Sequence, residues 1–452
     1  MTGRGLATTL VTLLAAGPLW AQGATGPPPA WILDGSLRVR VETIDNTFRP
    51  GLAEHDRLLS LRTTLFAEYA RAPWRWGGEL FDSRAYGQQE RSAAGTSEVN
   101  ALELAQLYAA YTPGHGWAGL HESRLTAGRF TMDVGSRRLV ARNRFRNTTN
   151  AFTGLRFDGE IGADRSLTLF WTMPHTRLPS DRLGIEHNGV EWDRESPDLQ
   201  FFGGSWTRPG LGGGSAELYA YGLLERDADG HPTRNRRLWT PGLRLYRTSR
   251  IGQTDYDLEF AWQTGQARAS SADSDTRDLD VSAYFLHAEV GHCLPASASP
   301  RGALFLDVAS GDGRSPHTYK RFDTLFGARR SEYGPTSLYG AIARANLLSP
   351  GLRLDLRPDA RWDGFVAWRA LWLEDRHDGF SGTGVRDASG ASGRFAGHQF
   401  ELNVRHWLSA ETLRLDAGVA VLARGPFLKD APNANGYGDT TYAYLDATYS
   451  FR

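Results

Sequence analysis

From residue 36 the chain reads "SLRVRVET", with Leu37, Val39 and Val41 alternating against Arg38, Arg40 and Glu42. A two-residue period predicts a strand with one apolar and one polar face. The pattern recurs. In "RLLSLRTTLFAEYA", Leu59, Leu61, Leu65, Ala67 and Tyr69 oppose Ser60, Arg62, Thr64 and Glu68. In "AFTGLRFDGE", Leu155 and Phe157 oppose Arg156 and Asp158; in "YDLEFAWQ", Leu258, Phe260 and Trp262 oppose Asp257, Glu259 and Gln263. In "ETLRLDAGVAVLA", Leu413, Leu415, Val419 and Val421 oppose Arg414 and Asp416. Beyond residue 30 no long amphipathic helix interrupts the series. Short connections at "RAPW", "TPGHGW", "IGADR", "RPGLGGG", "RTSRIGQ", "LPASASP", "RPDAR" and "LSAE" are separated by long ones, such as 131–150, 173–198 and 311–343. Counting the segments between them predicts about eighteen strands.

Alternating long and short connections predict an all-β fold: a single closed antiparallel transmembrane β-barrel with long extracellular loops and short periplasmic turns. Closure follows because hydrocarbon cannot satisfy the backbone groups of an open sheet edge. The aliphatics would then meet lipid while Arg38 and Arg40 meet a watery lumen. A soluble sandwich or propeller also alternates, but does not normally sort its loop lengths by parity. The last strand, "TTYAYLDATYSFR", puts Leu445, Tyr449 and Phe451 on one face, with Arg452 following the terminal aromatic. At the other end, "MTGRGLATTLVTLLAAGPLWAQ" carries one arginine, an apolar stretch and small residues around Ala21. It predicts a signal peptide over 1–21, a linker over 22–34 and the barrel over 35–452. No later run approaches the ~18 apolar residues of a membrane helix.

Composition sharpens one point. Net charge is zero, so no global field attracts polyanions, and nucleic acid is not an expected partner. Yet of 51 basic residues only Lys320 and Lys429 are lysine, leaving 49 arginines. A GC-rich gene explains such a ratio by itself; arginine also suits bidentate contacts with carboxylates. Cys293 is the single cysteine, which excludes an internal disulfide and a cysteine-rich metal site.

The stretches "LTAGRFTMDVGSRR", "FLDVASGDG", "FDTLFGARRSEYGPTSLYGAIARANLLSPGLRL", "GVRDASGASG" and "GHQFELNVRHW" resemble the alginate export family of outer-membrane proteins over roughly residues 30 to 452. The resemblance implies an eighteen-stranded monomeric barrel with an arginine-rich constriction, passing an anionic uronate polysaccharide, with periplasmic secretion components as candidate partners.

Strand parity selects Arg38, Arg40, Arg62, Arg156, Arg244, Arg353, Arg369, Arg405 and Arg414 as inward-facing. Guanidinium groups can offer each carboxylate of a polyuronate a charge-assisted contact, and rings of arginine serve anion pores. The plainer reading pairs them with Glu42, Glu68, Asp158, Asp257, Glu259, Glu289, Asp307, Glu401 and Asp416 on the same faces. Arg129 shares the parity of Leu125 and Ala127, so simple alternation aims it at lipid unless a bulge or the strand end redirects it. Arg142, Arg144 and Arg146 belong either to a solvated surface loop or to a loop folded into the pore. Arg329 and Arg330 are further candidates for a constriction. No catalytic motif is present, and His287 with Glu289 makes a poor metal site, so neither catalysis nor a cofactor is expected. The leading expectation is a passive channel for anionic polysaccharide. The rivals are a porin for small organic anions and a soluble periplasmic carbohydrate-binding or polysaccharide-degrading protein.

Overall fold

On the first strand, Arg38, Arg40 and Glu42 are 1%, 3% and 1% exposed, whereas Leu37, Val39 and Val41 are 47%, 38% and 54% exposed. This inversion of the soluble pattern, with charge inside and aliphatics outside, holds around a closed wall. The computed structural model describes residues 30–113, 120–162, 164–228 and 230–452. The expected signal peptide, residues 22–29 of the linker and the tip of the "TPGHGW" turn lie outside these residues.

Thirteen strands come first: β1 (Ala30–Asp45), β2 (His55–Arg71), β3 (Trp74–Tyr86), β4 (Asn100–Tyr111), β5 (Glu122–Phe130), β6 (Phe152–Ile161), β7 (Arg165–Pro174), β8 (Leu199–Pro209), β9 (Ser215–Glu225), β10 (Arg237–Arg247), β11 (Thr254–Ala267), β12 (Leu279–Cys293) and β13 (Arg301–Ala309). After the two-residue β14 (Thr318–Tyr319) follow β15 (Leu347–Leu356), β16 (Trp362–Trp372), β17 (Phe395–Ser409), β18 (Leu413–Arg424) and β19 (Thr440–Phe451). Each strand pairs antiparallel with its neighbours, β13 passes directly to β15, and β1 pairs with β19 to close an eighteen-stranded barrel. β14 lies outside the ring and adds in parallel to β12. The first strand begins at Ala30, because Trp31 and Leu33 continue its ladder opposite Tyr69 and Ala67. Residues 30–34 therefore belong to the wall and not to a linker. Cys293 is the buried last residue of β12.

Connections alternate as expected. One end carries 46–54, 87–99 (L2), 131–151 (L3), 175–198 (L4), 226–236 (L5), 268–278, 310–346 (L7), 373–394 and 425–439. The other carries 72–73, 112–121, 162–164, 210–214, 248–253, 294–300, 357–361 and 410–412. Near the short-turn end, Trp31, Tyr69, Trp76, Trp74 and Tyr111 form a chain of ring contacts on the outer face at 4.9 to 6.3 Å. Such amphipathic rings suit a membrane interface.

The inner face is not uniformly wet. Toward the long-loop end its residues become apolar, as Glu42 gives way to Ile44 on β1 and Ser60 to Leu58 on β2. Loop side chains fold in to cover them. Phe48, Val99, Tyr339, Ile342, Phe380 and Phe427 pack with wall residues Leu371, Leu422 and Tyr442. Opposite, Met132, Leu139, Val140 and Phe322 pack with Phe152, Phe201, Tyr221 and Phe285. The long-loop half is thus a protein core inside the barrel, which holds the remaining loop residues rigidly over the lumen.

Candidate functional site

L3 folds into the barrel and not onto its surface. Its backbone turns around Phe145, and the wall arginines hold it by its carbonyls. Arg38 donates to Phe145 O at 2.9 Å and to Asn147 Oδ1 at 2.8 Å. Arg62 donates to Arg144 O at 2.9 Å and Arg146 O at 3.1 Å. Asn147 Nδ2 in turn donates to Leu61 O, Arg84 O and Glu98 O. An arginine satisfies several loop carbonyls at once because its donors form a fixed planar fork.

L7 meets L3 inside the lumen. Val140 and Phe326 form a parallel bridge, with Ala141 N donating to Phe326 O at 3.1 Å and Phe326 N to Leu139 O at 3.0 Å. A Cβ on Gly327 would lie 1.7 Å from the Arg138 carbonyl, so only glycine permits this approach. Just beyond is the short helix α1 of this loop pair, Arg330–Tyr333. Its Glu332 accepts from Arg138 on one oxygen and Arg344 on the other, while its carbonyl accepts from Arg369 of β16. Arg138 also donates to Glu259 at 2.7 Å and Asp257 at 3.0 Å on β11. The two loops form one septum, pinned to opposite walls.

Two cavities adjoin it. One, between L3, L7 and the inner faces of β1 and β15–β18, comprises about 1390 Å³ of open space, and its lining holds eleven arginines against Asp133 and Asp416. The other, beside β1–β4 toward the short turns, comprises about 1540 Å³ and includes Arg62, Glu79 and Arg142. Asn143, Arg144 and Arg414 line both and mark the neck between them.

The nine arginines selected by parity all lie on inner-face positions, but their partners divide them. Arg40 donates to Asp446 at 2.9 Å, Arg156 to Asp158 at 2.8 Å, Arg244 to Asp257 at 2.7 and 2.9 Å, Arg353 to Asp355 at 2.8 Å and Arg405 to Asp363 at 2.6 Å. Arg369 holds Ser349 and Glu332 O. From the loops, Arg142 pairs with Glu79 and Arg330 with Glu401, both at 2.5 Å. Arg62, Arg414, Arg146 and Arg329 have no carboxylate within 4.0 Å among the described residues, and Arg144 has only Asp133 at 3.5 Å with its side chain 75% exposed. Cation–π contacts fix several of the heads. Arg40 and Arg330 flank the Phe145 ring at 3.9 and 4.7 Å, and Arg353 lies 3.7 Å over Phe365.

Arg129 does sit at the outward parity, opposite Thr153 and Leu107. The β4–β5 ladder stops there, after a bulge in β4 between Leu104 and Gln106. The guanidinium turns into that gap and donates to Glu103 Oε1 at 2.6 Å and Leu104 O at 2.9 Å, so it serves the wall. Sequence reasoning missed Arg344, which is 1% exposed and central to the septum. Its signal was a lone charge among Ala341, Ala343 and Ala345. His287 bonds Asp307 at 2.7 Å, and among the described residues no three His, Cys, Asp or Glu side chains converge as metal ligands.

Burial sets the loop electrostatics. It lowers the pKa of Arg146, reinforced by Arg177, and that of Arg329, reinforced by Arg49; it lowers Arg344 to about 9, reinforced by Arg138. At Arg330 the lowering by burial is outweighed by Glu401, Tyr444 and Asp416 together, and the pKa is raised. Burial pushes Glu98 of L2 up to about 7, and this carboxylate couples to Arg49, Arg146, Arg177 and Arg329.

A family model described as "Alginate export" matches residues 31–438. No curated protein matches the sequence. Solved structures of the same fold include OccK9 (OpdG) of Pseudomonas aeruginosa, at 13% identity and TM-score 0.59, covering 93% of this chain and 98% of that one. OccAB2 of Acinetobacter baumannii aligns at 12% identity and TM-score 0.56, with the same coverages. P. aeruginosa OccK2 (OpdF), solved in complex with glucuronate, aligns at 12% identity and TM-score 0.54, covering 93% and 96%.

Proposed function

The chain belongs to the alginate export family of outer-membrane β-barrels, and from that premise we propose that it passively conducts an anionic polysaccharide, alginate-like polyuronate or its fragments, through an arginine-lined pore. The observation that carries this reading is the division of the lumen arginines. Most are neutralised by wall carboxylates and stiffen the barrel. Those bordering the neck, Arg62, Arg144 and Arg414, are left with weak or no acidic partners and supply the positive potential there. A permeant carboxylate replaces the missing partner in passing. Contacts with a half-exposed head are weak enough to release it to the next.

The glucuronate complex of a protein with this fold supports a second reading, uptake of small organic anions. OccK2 (OpdF) was solved with glucuronate, a single uronate. Single-channel recording in planar bilayers separates them. Anion-selective current blocked by polyguluronate from one side supports polymer passage. Monomeric glucuronate carrying current while the polymer neither enters nor blocks supports the second. A channel that prefers cations would overturn both.

A further inference from the structure

The wall is incomplete at one place. β4 and β5 pair only over residues 107–111 and 125–129, and β4 starts opposite Ser83, three residues short of the end of β3. Toward the loops, the facing edges of β3 and β4 therefore have no strand beside them among the described residues. Open edges are costly next to hydrocarbon. L4 fills the opening. Asn188 uses its side-chain amide as a strand uses its backbone, donating to Ala85 O at 2.9 Å and accepting from Ala85 N at 2.7 Å. Asp193 N donates to Glu103 Oε2 at 2.8 Å, and Asn100 Nδ2 donates to Asp193 Oδ1 at 2.6 Å.

L4 also reaches the outer side of the wall. Thr153 shares the outward parity of Leu155 on β6, and its hydroxyl donates to Glu195, which His175 Nε2 meets at 3.0 Å. Arg129, outward on β5, lies 3.8 Å from the same carboxylate. The base of L4 is thus seated one outward position from Leu155.

The two sides of the loop are both apolar. Ile185 packs inward with Leu58, Ala85 and Val99. Leu183, Val190 and Trp192 are instead 67%, 56% and 62% exposed. The strands that L4 caps point their own apolar residues outward beside it, Tyr86 adjoining Ala85 and Leu102 adjoining Glu103. The loop is held in shape by the paired backbones of Thr176 and Arg194, at 2.8 and 3.0 Å, and by Asp181 capping the helical turn Arg182–Glu186. Its charges limit its depth: Glu191 is exposed between Val190 and Trp192, and Arg182 pairs with Glu186. A tryptophan beside charged groups suits the level of lipid headgroups.

We propose that L4 is a membrane-seated patch of the wall, with Leu183, Val190 and Trp192 resting in lipid at the headgroup–acyl boundary of the outer leaflet. It seals the β4–β5 seam and continues the lipid face upward from Leu155.

The test places single cysteines in the full-length barrel carrying Cys293→Ser, folded into phosphatidylcholine vesicles and labelled with bimane. Trp192→Cys and Leu183→Cys are compared with Leu155→Cys on the lipid face and Ala272→Cys on the exposed loop 268–278. A side chain seated about 5–10 Å into the boundary is shielded from aqueous ions, so iodide should quench at 183 and 192 at least about threefold less than at 272. Nitroxide-labelled phosphatidylcholine should quench both as it quenches the label at 155. Val190→Cys repeats the measurement where either label prevents folding. Iodide quenching equal to that at 272, with 155 still shielded, overturns the seating of L4. Iodide reaching 155 as well would overturn the lipid-facing wall, and the inference with it.

Discussion

Replacing Glu332 by glutamine should open the septum. The substitution keeps the shape of the side chain and removes the charge that joins Arg138 to Arg344. Arg138 keeps Glu259 at 2.7 Å and Asp257 at 3.0 Å. Arg344 keeps only carbonyls, Ala328 O at 2.6 Å and Arg138 O at 3.0 Å, while 1% exposed. Breaking a buried pair from one side costs about 3–5 kcal/mol. The glutamine oxygen still accepts one bond, so about 2–3 kcal/mol is the better figure here. At 1.4 kcal/mol per tenfold, that shifts the ratio of closed to open loops by roughly 30- to 140-fold. The assay is single-channel recording: Glu332→Gln should show frequent high-conductance events that wild type lacks. Adding Arg344→Met should restore closure, because it removes the stranded charge and fills the space with an apolar chain. Glu411→Gln, whose partner Arg452 is 75% exposed, is the silent control. Wild-type current from a folded Glu332→Gln barrel would show that the latch does not hold the loops.

Three further outcomes follow from the same geometry. Arg62→Gln/Arg414→Gln should lower the chloride-to-potassium permeability ratio several-fold, measured near 0.01 M salt, where the Debye length of ~30 Å leaves the neck unscreened; the neutral-pair variant Arg156→Gln/Asp158→Asn should leave it unchanged, and equal effects would refute the division. Anion preference should rise as pH falls from about 8 to about 6, because Glu98 takes up a proton near pH 7 and ceases to compensate four arginines. Its folded pKa lies above the unfolded one, so the folded loops gain stability over the same fall. Glu98→Gln should flatten both trends, and an unchanged pH slope would remove Glu98 from the account. On the lipid face, Leu155→Arg should cost about 2–4 kcal/mol in folding titrations into vesicles, if its 48%-exposed side chain meets hydrocarbon; a cost near zero would place that face in water.

The wall was legible because its rule is local. Each residue's side follows from its neighbour, so Leu37 and Arg38, or Leu155 and Arg156, could be assigned from adjacent letters. Pairs two apart on one strand, such as Arg353 with Asp355, follow from the same rule. Arg40 with Asp446 does not, since closure alone brings the first strand to the last. The fate of L3 was less accessible still. Arg142, Arg144 and Arg146 read alike in a solvated loop and a buried one, and what draws the loop inward is Arg38 and Arg62 donating to its carbonyls, groups every residue has. Arg129 followed the local rule until the β4–β5 ladder ended. The apolar inner ends of the strands were visible as doublets such as Leu58–Leu59, which alternation does not explain and loop packing does.

Net neutrality and a basic pore are compatible because the two are set at different ranges. With 51 acids against 51 bases, the protein as a whole attracts nothing. Within the barrel, an ion pair such as Arg244 with Asp257 contributes little field a few ångströms away, since its opposite charges nearly cancel. An arginine bonded only to backbone carbonyls retains its charge, and Arg62 is held in just this way. The contacts that fold L3 inward therefore also leave a guanidinium uncompensated beside the neck. Building the constriction and charging it are one step: a loop held by carboxylates would have been as firm, but the passage beside it would have been neutral.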